Sequence, residues 1–285
     1  MSASVLFDNP GPKTRARHRI YTVIGALGVL GLLGYSIYRL YDKDQFSYSR
    51  WEPFFTPDYI RALLVNGVWQ TVQMAVFAVI LAVVFGVVFG LGKLSDHAWV
   101  RWPSWAVVEF FRAVPVLLLM ILIFFTFGIS RGTSGAFWSV VIALMLYNGA
   151  VLAEVFRAGI QAVPKGQGEA AYALGMRKTQ VNTIVLLPQA VKIMLPSIIS
   201  QCVVALKDTS LGYAIAAPGL TAVGKQIYQG GFQNHVPTIM VLAALYIVLN
   251  LILTSLATLV QKKFVGEKKA LSMPMVGEAK TGAPA

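Results

Sequence analysis

Long apolar runs alternate with short polar segments along most of this 285-residue chain. A bilayer core of roughly 30 Å is crossed by a helix of about 20 apolar residues. Six runs predict such helices: Ile20 to Leu40, Trp69 to Leu91, Val107 to Phe127, Ala136 to Val155, about Thr183 to Leu206, and Pro237 to Val260. Pro188 and Pro196 make the inner end of the fifth run irregular. The pattern predicts an all-α membrane protein with about six transmembrane helices.

The composition supports a multi-pass protein of the cell membrane and argues against a water-soluble domain. Hydrophobic residues make up 56% of the chain, charged residues 13%, and the mean hydropathy is +0.66, whereas charged residues reach about a quarter in soluble domains. The net charge of +12 comes from short basic segments without interleaved aromatic residues. Such segments fit a lipid bilayer as partner and predict no nucleic-acid partner.

The basic residues also predict the orientation, because cytoplasmic loops are enriched in Lys and Arg. They precede the first run and follow the second, fourth and sixth: Lys13, Arg15, Arg17, Arg19, Lys93, Arg101, Arg157, Lys165, Arg177, Lys178, Lys262, Lys263, Lys268 and Lys269. Both termini and the polar segment Glu154 to Pro188 are therefore expected in the cytoplasm.

The polar segment Glu154 to Pro188 reads as a helix, a tight turn and a second helix. Pro164 suits the first turn of a helix, and Glu169 near its amino end complements the helix dipole. Gly175 falls where a left-handed residue would end that helix, and a second helix can start near Lys178. On physical grounds, the segment has two interpretations: a docking surface for a soluble partner, or an amphipathic connector lying on the membrane.

The motif in this segment resembles the EAA loop of permease subunits of binding-protein-dependent ABC importers. It comprises Glu169, Ala170, Ala171, Gly175 and the stretch Val185 to Pro188. Further motifs resemble the polar amino acid branch of that family, the histidine, glutamine and glutamate permeases: Asn66, Gly67 and Thr71, Glu109 to Pro115 (EFFRAVP), and Leu206 to Leu211 (LKDTSL). The N-terminal stretch LFDNPGPK and the stretch EFFRAVPVL are similar to stretches in glutamate permeases of actinobacteria.

The resemblance covers roughly residues 60–262 and implies a type I importer core of five helices with an extra N-terminal helix. It divides the chain into a leading segment with the extra helix (1–60), the permease domain (61–265) and a disordered tail (266–285). Its coupling loop, about residues 157–182, would dock on an ATPase through Glu169, Ala170, Ala171 and Gly175, with Pro188 closing the motif.

The same resemblance implies the partners and the role of the chain. They are two ATPase subunits that hold ATP and Mg, a second permease subunit, identical or homologous, and an extracytoplasmic binding protein. The cargo would be a polar amino acid, glutamate in particular. The chain itself would form the translocation pathway, would not be an enzyme and would hold no cofactor.

Charged residues at membrane depth usually face a partner or a wet cavity. Glu109 and Arg112 lie three apart and can pair on one helical face; alternatively, Arg112 meets a substrate carboxylate in the pathway, since a guanidinium matches a carboxylate well. Glu154 and Arg157 have the same spacing and are expected to form a structural pair.

A second polar group closes the fifth predicted span: Lys207, Asp208, Thr209 and Ser210. Either Asp208 caps a following helical segment while Lys207 reaches the interface, or the group forms a gate or substrate contact. Tyr147 and Asn148 interrupt the fourth span and either line the same cavity or make a polar helix contact.

Other signals predict no chemistry in this chain. The stretch GLTAVGK, Gly219 to Lys225, has phosphate-loop spacing, but Gln226 stands where a Ser or Thr should bind magnesium and no buried strand precedes it. Cys202 is the only cysteine, and the histidines are scattered, so we expect no metal site. Gly86 and Gly90 favour local helix packing. The alternative function is an ion-coupled secondary transporter or channel, which would need a midplane ion site.

Overall fold

The computed structural model describes residues 11–230 and 234–265, and every regular element within these ranges is helical. This confirms the predicted all-α fold; the predicted tail, 266–285, lies outside the described residues. The α-helices are α1 (Pro12–Asp42), α2 (Tyr48–Trp51), α3 (Pro57–Arg61), α4 (Gln70–Lys93), α5 (Ala98–Ala113), α6 (Val116–Ile123), α7 (Gly132–Gln161), α8 (Lys165–Ala173), α9 (Lys178–Gln180), α10 (Leu187–Asp208), α11 (Leu220–Gln229) and α12 (His235–Val265).

Five helical stretches among the described residues are long and apolar enough to cross a membrane. They are Pro12–Asp42, Pro57–Lys93, Val116–Gln161, Lys178–Ile215 and His235–Lys263. The third stretch contains Gly132, whose φ of +56° ends one helical segment and starts α7. Because α6 packs against α7, this stretch is a pair of neighbouring helices and contains the fourth predicted span together with part of the third.

Short π-helical segments lie within three of these stretches, and one of them, Phe124–Gly128, directly follows α6. Ala62–Trp69 joins α3 to α4, and Val181–Leu186 joins α9 to α10. A π turn opens the hydrogen-bond ladder by one residue, and such turns are frequent at functional sites. The segment Val181–Leu186 ends just before Pro188, a residue that has no backbone N–H to donate.

The predicted span at Val107 to Phe127 is divided between two helices. Val114 is extended, with φ of −80° and ψ of 126°, because a residue before proline is forced out of the α region. Pro115 follows, and α6 starts at Val116. The segment from Val107 to Ala113 therefore belongs to α5, which also carries three exposed tryptophans: Trp99, Trp102 and Trp105.

Helices α4 and α7 pack with their backbones close together, and the main core lies where they meet α6. A Cβ on Gly86 would lie 2.8 Å from Cβ of Leu152, and one on Gly90 would lie 2.9 Å from the carbonyl oxygen of Ala153. The two glycines thus serve local packing, as the sequence indicated. By contrast, α1 has no buried residue.

The N-terminus of α11 is fixed by a residue that opens α4. The N–H of Leu220 donates a buried hydrogen bond of 3.0 Å to Oγ1 of Thr71. A Cβ on Gly67 would lie 3.0 Å from Cδ2 of Leu220, so glycine is needed for this approach. Thr71 therefore occupies the first amide of α11.

Candidate functional site

The polar segment between α7 and α10 forms the predicted helix, turn and helix. After α7 ends at Gln161, Pro164 directly precedes α8, and the segment re-enters the apolar region through α9. Pro164 thus lies one residue before the helix, whereas the sequence placed it in the first turn. Its extended ψ of 128° sets the direction in which α8 leaves the bundle.

Gly175 ends α8 in the left-handed conformation that the sequence indicated, with φ of +76°. Its N–H donates to the carbonyl of Tyr172 over 2.9 Å, and the N–H of Met176 donates to the carbonyl of Ala171 over 3.2 Å. These two bonds make a Schellman motif, which satisfies the last carbonyls of a helix and fixes the exit of the chain. The turn is therefore held by the main chain.

The exposed surface of α8 differs in one residue from the expected contact surface. Glu169 and Ala170 are exposed, whereas Ala171 is only 4% exposed and its side chain faces the rest of the loop; its role in docking stays a prediction. Helix α8 packs against the π-helical segment Val181–Leu186, and a methyl group suits this close approach. The sequence missed Leu174, which is 83% exposed at the end of α8.

Pro188 is exposed and occupies the second position of α10. It is followed by Gln189, whose Nε2 donates to the carbonyl of Val185 over 2.9 Å and to Oε1 of Gln167 over 3.4 Å. The last contact joins the start of α10 to α8. A displacement of α8 would therefore change the contacts at the start of α10, the helix that contains Lys207 and Asp208.

A network of ion pairs joins the ends of α4, α5 and α7. Nζ of Lys93 contacts Oε1 of Glu109 at 3.3 Å and also pairs with Glu154. Arg112 donates to Glu109 over 3.1 Å, and Nε of Arg157 donates to Glu154 over 2.9 Å. The two pairs expected from the spacing are present, and each carboxylate serves two cations. Lys93, which the sequence indicated only as a cytoplasmic positive charge, is the centre of the network, with a side chain 6% exposed.

A second ion pair joins the turn between α4 and α5 to the polar segment. Asp96 in this turn pairs with Nζ of Lys178 at the start of α9. The hydrogen bond from Lys178, together with its charge, lowers the pKa of the exposed Asp96 carboxyl below its usual value. This contact spans 82 positions of the sequence, which is why residue spacing gave no sign of it.

The predicted pathway residues fall into separate places. Lys207 and Ser210 line a groove of about 530 Å³ between α10 and α12, whereas Arg112 belongs to the ion-pair network. The opposite wall of the groove includes Asn250, whose Nδ2 donates to the carbonyl of Tyr246 over 2.7 Å. Its Oδ1 is buried and accepts no hydrogen bond from the described residues. An amide within an apolar span is the signal that would have identified it.

Asp208 and Thr209 have different surroundings although they are adjacent. Asp208 is half-buried and precedes a 3₁₀ helix, Thr209–Ile215, but its side chain makes no capping hydrogen bond. Thr209 is buried; it donates to the carbonyl of Leu206 over 2.7 Å, and its Oγ1 lies 3.4 Å from the hydroxyl of Tyr246. Thr209 therefore holds α10 against α12.

Tyr147 and Asn148 lie inside the helix bundle. Tyr147 is half-buried against the core formed by α4, α6 and α7. Asn148 is 1% exposed, donates to the carbonyl of Leu144 over 3.0 Å and accepts from Nε2 of Gln201. Asn148 thus makes a polar contact between helices, which was one of the two interpretations of its position. Its partner, Gln201 of α10, was not indicated by the sequence.

Comparison with known proteins identifies a family for this arrangement. Residues 62–266 match the sequence profile of the family described as "binding-protein-dependent transport system inner membrane component". The chain is 42% identical over 222 residues to the glutamate transport system permease protein GluD of Corynebacterium glutamicum, covering 77% of this chain and 81% of that protein. It is 31% identical over 203 residues to the arginine transport system permease protein ArtQ of Bacillus subtilis, covering 70% and 91%.

Solved structures share the fold. A chain in the crystal structure of an amino acid ABC transporter with histidines matches with a TM-score of 0.64 and 30% identity, over 73% of this chain and 95% of that one. A chain of the inward-facing MetNI methionine ABC transporter matches with a TM-score of 0.64, over 73% and 99%. At 22% identity, the second match is evidence for the fold alone. Helix α1 precedes the range matched by the family profile.

Proposed function

Because this chain belongs to the family of inner membrane components of binding-protein-dependent transport systems, we propose that it is the permease subunit of an ATP-driven amino acid importer. The observation that carries the proposal is α8, a helix ended by a Schellman motif, which exposes Glu169, Ala170 and Leu174. The turn after α8 is held by main-chain bonds, so these exposed side chains are presented in a fixed direction. The partner that contacts these side chains is an ATPase subunit, which holds ATP and Mg.

The proposed coupling path runs from α8 into the bundle by two routes. One route is the contact of Gln167 with Gln189, which leads into α10. The other is the pair of Lys178 with Asp96, which leads to the turn between α4 and α5. When ATP brings two ATPase subunits together, a displacement of α8 shifts the population of the permease between inward-facing and outward-facing states.

We infer that the groove between α10 and α12 lies on the translocation pathway, completed by a second permease subunit. Lys207 is exposed within an apolar stretch, where a charge is costly unless it faces a partner or water. Its ammonium group suits a substrate carboxylate, and Ser210 adds a hydroxyl. Asn250 lines the same groove and adds a polar side chain to its wall.

The cargo we propose is glutamate, delivered by an extracytoplasmic binding protein. The identity of 42% with a glutamate transport system permease protein supports this choice. The arginine and histidine names among the other relatives make cationic amino acids the obvious comparison. Uptake of labelled glutamate and labelled arginine, measured in cells with and without this protein, tests the cargo directly.

Co-purification tests the coupling. The substitution Glu169→Lys reverses a charge on the exposed surface of α8. It should abolish both co-purification of the ATPase and uptake of the substrate. Glu52→Lys makes the same change in the exposed 3₁₀ segment Glu52–Phe55, on the opposite side by the predicted orientation, and should leave the ATPase bound. Retention of the ATPase by the Glu169→Lys protein, or uptake by the purified chain alone, would contradict the proposal.

A further inference from the structure

A second pocket lies where α4, α5 and α7 meet, away from the groove between α10 and α12. Its volume is about 760 Å³, and its lining includes four cationic side chains, Lys93, Arg101, Arg112 and Arg157. Only two carboxylates, Glu109 and Glu154, face them. The pocket therefore has two positive charges in excess of its negative charges, and it suits an anion.

Arg101 provides the cation that is least engaged within the chain. Its Nη1 donates to the backbone carbonyls of Ser95 and Asp96 over 3.1 and 3.3 Å. It forms no ion pair with a carboxylate among the described residues. Lys93, by contrast, is held between Glu109 and Glu154. A guanidinium has five donors, so Arg101 keeps donors that can meet the oxygens of an anionic ligand.

The tryptophans of α5 indicate where this anion lies relative to the bilayer. Trp102 and Trp105 line the pocket, with ring centroids 6.0 Å apart, and their side chains are 64% and 48% exposed. Trp99, one turn before, is 76% exposed. Tryptophan is enriched at the level of the lipid headgroups, so the pocket opens where headgroup and acyl chain meet.

We propose that this pocket binds the phosphate headgroup of an anionic membrane phospholipid. The excess cations meet the phosphate oxygens, as guanidinium groups do with two parallel hydrogen bonds. The indole rings of Trp102 and Trp105 lie along the upper acyl chains. On the predicted orientation, the site belongs to the cytoplasmic leaflet, whose anionic lipids attract such basic groups. The bound lipid thus contacts the helices joined by the Lys93 network.

The test uses the full-length chain in nanodiscs of phosphatidylcholine to which brominated phosphatidylglycerol is added in steps. Bromine atoms in the acyl chains quench nearby tryptophans, so quenching should saturate with the anionic lipid and rise only gradually with brominated phosphatidylcholine. The Trp102→Phe/Trp105→Phe protein should lose the saturating part. Arg101→Gln should raise the amount of anionic lipid needed for half of the quenching about tenfold or more, the effect of losing a hydrogen bond between charged groups.

Lys262→Gln is the matched control, because it removes one exposed positive charge from the end of α12, outside the pocket. It should leave the titration unchanged.

Equal shifts for Arg101→Gln and Lys262→Gln would overturn the proposal in favour of unspecific attraction to the membrane. Release of the quenching by inorganic phosphate would assign the site to a free anion, and release by glutamate would assign it to cargo; either result overturns the lipid assignment. Native mass spectrometry gives the number of bound lipids independently: one phosphatidylglycerol should stay bound to the wild type and be lost from Arg101→Gln.

Discussion

The ammonium nitrogen of Lys93 lies 3.3 Å from Oε1 of Glu109, so the last residue of α4 contacts a residue near the end of the next helix. Lys93 also pairs with Glu154 of α7. One buried cation thus joins three helices whose order in the sequence gives no sign of a common contact. Both carboxylates share Lys93, and each of them also pairs with one arginine, Arg112 or Arg157.

Removal of Lys93 should therefore destabilise the bundle more than removal of an exposed lysine. Lys93→Met leaves Glu109 and Glu154 with one cation each, and the loss of charged hydrogen bonds costs about 1.5–3 kcal/mol. Thermal unfolding of the purified protein should show a lower midpoint for Lys93→Met and a nearly unchanged one for Lys263→Met, at the exposed end of α12. Equal midpoints for the two variants would mean that the network adds nothing to stability.

Replacement of Gly175 should impair coupling through the backbone. A Cβ there meets no atom of the chain within 4 Å, so the penalty comes from the left-handed conformation and is about 1–2 kcal/mol for Ala. Asn tolerates this conformation, so uptake should fall in the order Gly, Asn, Ala, Val at this position. Gly166→Ala, within α8 and also without a neighbour, should be neutral. Equal uptake by all the Gly175 variants would show that the exit of α8 need not be fixed.

The pair of Asp96 and Lys178 should affect transport through one shared contact. Asp96→Asn and Lys178→Gln should each lower the number of substrate molecules imported per ATP hydrolysed, and the double variant should be no worse than either single one. Additive effects would show that the two side chains act separately.

The same pair should persist at every physiological pH. The pKa of Asp96 is lowered in the folded protein, so its contribution to stability is present above the usual carboxyl pKa and is lost only as the pH falls through the lowered value. A titration of Asp96 by NMR or infrared spectroscopy should give a pKa that rises towards the usual value in Lys178→Gln. An unchanged pKa in this variant would argue against the pairing.

Lys207 should matter for the movement of substrate and not for assembly with the ATPase. If its ammonium group meets a substrate carboxylate, Lys207→Met removes a charged hydrogen bond of about 1.5–3 kcal/mol, which corresponds to a loss of roughly tenfold or more in apparent affinity. Lys192→Met removes an exposed lysine from the same helix, outside the groove, and should leave uptake unchanged. Loss of the ATPase from Lys207→Met would point to a structural role instead.

Local patterns in the sequence predicted much of this architecture. The apolar runs gave the helices, and Gly175 gave the end of α8, because hydrophobicity and backbone conformation act over a few neighbouring residues. The division of the third run at Val114 follows from Pro115, a local steric effect that the sequence also contained. Gly86 and Gly90 marked the close approach of α4 and α7, since only a missing Cβ allows it.

Local sequence patterns did not predict contacts between helices that are distant in the sequence. Lys93 meets Glu154 across 61 positions, and no spacing rule connects residues that are joined only by the packing of α4 on α7. Ala171 was assigned to the docking surface because the motif contains it, whereas its orientation depends on how α8 lies against the following segment. Asn250 is marked in the sequence only as an amide within an apolar span, and its unused acceptor is visible only in three dimensions.

The Schellman motif at Gly175 separates two properties of the loop that are often taken together. The direction of the chain after α8 is held by main-chain bonds from Gly175 and Met176, whereas the surface offered to another protein consists of outward side chains such as Glu169 and Leu174. Substitutions of these side chains can therefore change which protein binds α8 while the main chain of the turn keeps its direction. If α8 docks on an ATPase as proposed, such a permease can change its ATPase partner without a change in the backbone of its coupling loop.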